Sequence, residues 1–320
     1  MKSFQECTQD LCESLRQMTA SLDSGEISPR QLLPNLTEAV RASCLACARM
    51  EKETKDNLPE VQQWFRAQIE PWVSKSWLMH RAQTKPRGYP GDFELLEGIY
   101  REKPHPDSRG IGEAIDWYFL STILARGVVG RKNFIRDILD DVGRQPSPVA
   151  ILDIASGPCR EVVEATAFLR NPTVTFTAVD YDAEALQYAE TVVRASGFKG
   201  QWISKLYNAM DLTAMNPQEF QTYDIIYSVG LFDYIPGKVV TAILDGTRCL
   251  MKPGARWILS FKDIERYDPT EYAWHADWHF RYRTEQDCRD LLSRSGKWQI
   301  QMTRDVTGVM MCFTLRLPEA

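Results

Sequence analysis

The chain has 320 residues, with 38 Lys and Arg against 43 Asp and Glu for a formal net charge of −5, and 44% hydrophobic content. That balance is globular and excludes the basic surface of a nucleic-acid binder. There is no charged-then-apolar leader and no run of about 18 apolar residues, so the expectation is a cytoplasmic protein acting on a small molecule, with neither nucleic acid nor membrane as partner.

Eight scattered cysteines (Cys7, Cys12, Cys44, Cys47, Cys159, Cys249, Cys288 and Cys312) read as reduced thiols.

Residues 1–145 read as a helical cap. Ser28 followed by Pro29 is a helix start, after which Leu32, Leu33, Leu36, Ala39 and Val40 recur at helical spacing. Further helices are predicted over 59–82, 112–126 and 131–143. Between them Lys85-Pro-Arg-Gly-Tyr-Pro-Gly-Asp92 carries two prolines and two glycines, which exclude a helix or central strand and leave either a corner or a functional loop. Cys44-Leu-Ala-Cys47 has no second half at zinc spacing and reads as small packing residues on one helix face.

From 146 to 320 the pattern alternates strand and helix. Val149-Ala-Ile-Leu-Asp153 is an apolar run that ends in an acid and breaks into Ile154-Ala-Ser-Gly157. Val174-Thr-Phe-Thr-Ala-Val-Asp180 is a second such run. A strand, a small-residue turn, a helix and an acid-tipped strand form a nucleotide-binding βαβ half, with Asp180 placed to accept ribose hydroxyls. Strands follow at 201–204, 223–228 and 256–261, with helices at 159–169, 183–196, 237–250 and 284–294. The final pair, 298–303 and 309–315, is joined by a Gly-containing turn and reads as a hairpin whose last strand runs antiparallel. His275 and His279 stand four apart among Tyr272, Trp274, Trp278 and Phe280, an aromatic wall rather than a metal site. The fold class expected is α/β: a doubly wound, seven-stranded, mostly parallel sheet with a late antiparallel hairpin.

Asp153-Ile-Ala-Ser-Gly157 resembles the D-x-G-x-G loop of class I S-adenosylmethionine (SAM)-dependent methyltransferases, with Ala155 at the first glycine position. Gly88-Tyr-Pro-Gly-Asp-Phe93, Ile226-Tyr-Ser-Val-Gly-Leu-Phe-Asp-Tyr234 and Asp277-Trp-His-Phe-Arg-Tyr-Arg-Thr284 resemble a subfamily labelled 3-hydroxypalmitic acid methyl ester biosynthesis proteins. The resemblance spans about residues 85–317. It implies SAM as cofactor, with Ala155, Ser156 and Gly157 under its methionine part and Asp153 fixing the loop or the amino group. It further implies Asp180 on the ribose, Tyr181 on the adenine face, Asn208, Ala209, Met210 and Asp211 along the adenine edge, and Tyr227, Ser228, Gly230 and Leu231 beside the sulfonium.

A carboxylate acceptor is already ionised at neutral pH, so methyl transfer to it needs alignment and exclusion of water rather than a base. Tyr89, Tyr227, Phe232, Tyr234 and Trp278 are candidates to surround the sulfonium by cation–π attraction, and Arg281 or Arg283 to hold the acceptor by two-pronged contact. Tyr89 and Asp92 are expected to face the methionine end of SAM as part of a lid. The expected reaction is O-methylation of a small or fatty acid. Some proteins resembling this subfamily are azetidine-2-carboxylate synthases, which cyclise SAM and release methylthioadenosine. A third possibility is a non-catalytic SAM-binding protein.

Overall fold

The strand that places the chemistry, Val149–Ile154 (β1), is buried over nearly its whole length, as an apolar strand with neighbours on both edges and cover on both faces must be. In this computed structural model, which describes residues 2–54 and 57–318, it is the third strand of a seven-stranded sheet. The others are Val174–Asp180 (β2), Gln201–Leu206 (β3), Tyr223–Ser228 (β4), Met251–Lys262 (β5), Gln299–Arg304 (β6) and Met310–Arg316 (β7). Their order is β3-β2-β1-β4-β5-β7-β6. Only β7 runs against the rest, pairing antiparallel with both β5 and β6. The expected fold class holds. Both edge strands are largely polar and partly exposed, as strands with an unpaired side tend to be.

Alternation along the strands sorts two cores. Ala150, Leu152, Ile154, Ile226, Trp257, Leu259 and Phe261 face one side with Phe232, Val240, Ile243 and Leu292. Ile151, Ile225, Tyr227 and Ile258 face the other, with Ile135, Leu139, Val162, Phe168 and Val193. The helices Gly237–Thr247 and Glu285–Arg294 cover the first face. Ile123–Gly143 and Ala183–Ala195 cover the second.

The chain divides into two compact units. One comprises residues up to Arg126 together with Asp268–His279, and the other Gly127–Tyr267 together with the residues from Phe280 onward. The first holds the helices Phe4–Asp23, Leu33–Glu53, Leu58–Val73, Trp77–Thr84, Phe93–Tyr100 and Ile111–Ser121. Its returning segment, with the short helix Pro269–His275, is held by hydrogen bonds from Tyr118 Oη to Glu271 (2.5 Å) and from Trp274 Nε1 to Glu51 (2.6 Å). Among the described residues no helix is long and apolar enough to cross a membrane.

Four helix expectations need correction. The helix expected over 59–82 breaks at Ser74–Ser76, where Ser76 turns into an N-cap that accepts from Met79 N–H (3.1 Å). The gap expected near 127–130 does not exist: Ile123–Gly143 is continuous through Gly127 and Gly130. A methyl at Gly127 would come within 2.9 Å of Met310 Cε, and one at Gly130 would overlap Asp305, so close approach of the β6–β7 hairpin explains two glycines inside a helix. The helix expected at 159–169 divides at Ala165 into Arg160–Glu164 and Thr166–Arg170. Ser28 and Pro29 begin a 3₁₀ turn, Pro29–Leu32, ahead of the α-helix.

Candidate cofactor site

The loop after β1 is built from residues in the left-handed region: Ala155 (φ 58°), Gly157 (φ 53°) and Cys159 (φ 49°). Ala155 thus adopts the conformation for which a glycine would be the unstrained choice. Ser156 N–H donates to Val179 O (3.0 Å), tying the loop to β2. At the tip of β2 the Asp180 carboxylate accepts from Gly157 N–H (2.9 Å) through Oδ2 and from Asp182 N–H (3.0 Å) through Oδ1. Each oxygen keeps a free acceptor position. Burial raises the Asp180 pKa above its usual value, against the pull of these backbone bonds. The hydroxyls of Ser156 and Ser228 are buried with no hydrogen-bond partner among the described residues.

Register brings the remaining elements here. Asp180 stands beside Leu206 of β3, so Tyr207–Asp211 continue directly past its carboxylate. Asn208 Oδ1 accepts from Met210 N–H (2.9 Å) and caps the turn Ala209–Ala214. Ala209 is buried, Met210 half-buried, and Asn208, Asp211 and Tyr181 are exposed. Asp153 of β1 pairs with Tyr227 of β4, which sets the β1 loop beside Ser228 and Gly230.

Beneath this loop lies a buried cluster that sequence reasoning did not anticipate. Asp153, Cys159 and Glu161 bring their side-chain oxygens and sulfur within 4.8 Å of one another, and Tyr227 Oη donates to Glu161 (2.9 Å). Burial and then the nearby Glu161 push the Asp153 carboxyl well above the carboxylate range, and burial raises Glu161 as well. Glu161, in the first turn of Arg160–Glu164, is only 5% exposed. Its early-helix position, one turn after an acid-tipped strand, was the available signal.

Several aromatic and basic candidates sit elsewhere than expected. Tyr227 is 1% exposed with its hydroxyl spent on Glu161, and Phe232 packs in the core against Trp257 (ring centroids 5.6 Å apart). Arg283 is buried and donates to the backbone carbonyls of Phe232 and Ile235 (2.7 Å each), shaping the loop after β4 instead of facing solvent. Arg281 donates from Nε to Tyr234 O (3.1 Å), and its side chain stays exposed. Tyr234 is half-buried, with its ring 5.6 Å from that of Phe280.

Tyr89, Asp92 and Trp278 belong to the first unit. Asp92 caps Phe93–Tyr100 by accepting from Leu95 N–H (2.9 Å) and receives Arg81 Nε on both oxygens (2.9 and 3.0 Å). Trp278 stacks on Phe119. His275 and His279 do not converge: His275 engages Ser43 Oγ (3.0 Å) and Glu271 O, and His279 engages Asp277 (3.2 Å). Cys44 and Cys47 are buried free thiols, held protonated by burial.

The family described as "Putative methyltransferase" matches residues 88–316. Among curated proteins no relative matches the chain. Two solved structures share the fold over nearly its full length. The first, "a possible exported protein" from Bordetella parapertussis, is 17% identical with a TM-score of 0.58, covering 98% of this chain and 97% of that one. The second, the S-adenosylmethionine-dependent methyltransferase SibL in its apo form, is 14% identical with a TM-score of 0.50, covering 96% and 97%.

Proposed function

Because the chain belongs to the methyltransferase family that matches residues 88–316, we propose that it binds SAM at the β1 loop and methylates the carboxylate of a small or fatty acid. The observation that carries the cofactor part is the Asp180 carboxylate, fixed by Gly157 and Asp182 N–H with an acceptor position left on each oxygen. Two adjacent ribose hydroxyls need that arrangement. The buried, unpartnered hydroxyls of Ser156 and Ser228 fit the polar methionine end of the same molecule. When bound, SAM supplies an electrophilic methyl group on a sulfonium.

The chain's own residues then divide the work. Ala155, Ser156 and Gly157 shape the turn on which the methionine part rests. Asp153, through Cys159 and the Glu161–Tyr227 pair, holds that turn from below, so Asp153 and Tyr227 act as positioning residues. Asn208 to Asp211 border the adenine, with Tyr181 against its face. Tyr234, half-buried beside Phe280, is the aromatic candidate for the sulfonium on the sheet unit. The carboxylate acceptor supports economy of machinery: an already ionised oxygen needs alignment and no base.

Incubation with methyl-labelled SAM and a straight-chain fatty acid tests this reading. Labelled methyl ester with equimolar S-adenosylhomocysteine is expected. Methylthioadenosine formed from SAM alone would replace methyl transfer by cyclisation.

A further inference from the structure

Where β4 and β5 end, three charged side chains are buried together: Arg131 and Lys262 (each 3% exposed) and Asp233 (2%). Arg131 comes from Ile123–Gly143, the helix that covers this face of the sheet. Lys262 is the last residue of β5, on the face shared by Ile258 and Ser260. Asp233 lies in the loop that follows β4. Lys262 reaches Asp233 twice, through its ammonium to Oδ2 and through its backbone N–H to Oδ1 (3.0 Å). Arg131 makes only a 3.4 Å contact with the same Oδ2.

The charges do not balance. Two cations share one carboxylate oxygen, and Arg131 Nε is buried with no hydrogen-bond partner among the described residues. A second acid near this helix, Asp305, packed against Gly130, is occupied by Thr307 and Met310 of its own hairpin. An unpaired donor on a buried guanidinium is costly, and so is an uncompensated buried positive charge. The rings of Phe280 (4.1 Å from Lys262 Nζ) and Tyr234 (5.8 Å) form an apolar wall over the ammonium. Burial, against the pull of Asp233 and aided by repulsion from Arg131, brings the Lys262 pKa down to about 8.

The cluster also adjoins the cofactor loops. A methyl at Gly230, two residues beyond the end of β4, would stand 3.0 Å from Arg131 Nη2, so the guanidinium lies against that backbone. We propose that Arg131 and Lys262 form a carboxylate-binding subsite, which completes the charge balance and places the anion beside the methyl-transfer position. The inference rests on the function proposed above. The carboxylate has two sources, the acceptor acid or the methionine part of the cofactor. A guanidinium with an unpaired Nε–H next to an ammonium suits either.

Calorimetry on the full chain separates them, with dodecanoate, S-adenosylhomocysteine and methylthioadenosine as probes. The third carries no carboxylate. In Arg131→Met and Lys262→Met, a tenfold or greater loss for dodecanoate with S-adenosylhomocysteine unchanged assigns the subsite to the acceptor. The same loss for S-adenosylhomocysteine with methylthioadenosine unchanged assigns it to the cofactor. Arg131→Lys and Lys262→Arg should recover most of the lost affinity. Should a methionine variant not fold, Arg131→Gln and Lys262→Gln carry the same comparison. Unchanged affinity for both carboxylates in folded variants, or equal loss for methylthioadenosine, overturns the proposal. If the unaltered protein fails to bind S-adenosylhomocysteine, the cofactor reading falls, and the dodecanoate comparison still decides the subsite.

Discussion

Replacing Asp180 by alanine tests the cofactor site at its most constrained point. The carboxylate has about four acceptor positions, of which Gly157 and Asp182 N–H take two. Under the proposed function the remaining positions serve the ribose, and losing one hydrogen bond to a charged group costs about 1.5–3 kcal/mol. At about 1.4 kcal/mol per tenfold, Asp180→Ala should weaken S-adenosylhomocysteine binding roughly 10- to 150-fold. The fold should survive, because the two freed N–H groups lie at a strand tip within reach of water. Asp180→Asn keeps one carbonyl acceptor and should fall between the two. Isothermal titration with circular dichroism as the folding control measures this. A folded Asp180→Ala protein that binds within twofold of the original would refute the ribose assignment.

Ala155→Gly should relieve the left-handed strain at φ 58° and, after the entropy cost of glycine, raise stability by about 0.5–1 kcal/mol, read as a small rise in melting temperature; a fall would mean the Ala155 methyl packs favourably. Tyr227→Phe removes the donor to buried Glu161 and should cost about 1–3 kcal/mol in chemical denaturation, with no loss expected if the hydroxyl were idle. His275, buried and held down to about 4, stays neutral in the folded chain while the unfolded chain takes up a proton below about 6.5. Stability should therefore fall as pH drops from about 6.5 to 4, by up to about 3 kcal/mol. His275→Gln should flatten that dependence; identical urea midpoints against pH in both proteins would exclude His275 as its source.

The sheet was legible because its signals are local. Val149–Leu152 is an unbroken apolar run closed by Asp153, and Val174–Asp180 repeats that pattern one crossover later, so alternation and length alone separate strand from helix. The same locality found Asp180 and the β1 turn. Long-range packing was not legible. Gly127 and Gly130 look like helix breakers until the β6–β7 hairpin is seen to require the space. Arg283, a plausible anion clamp by type, is spent on carbonyls about fifty residues earlier in the chain. Arg131, Asp233 and Lys262 lie on three elements and share no motif, so only the folded chain brings them together.

The nucleoside released from SAM tests the central claim most directly. With SAM and a carboxylic acid, mass spectrometry should find S-adenosylhomocysteine and methyl ester in equal amounts, and neither above background when the acid is omitted. Methylthioadenosine accumulating from SAM alone, faster than its spontaneous breakdown, would contradict methyl transfer.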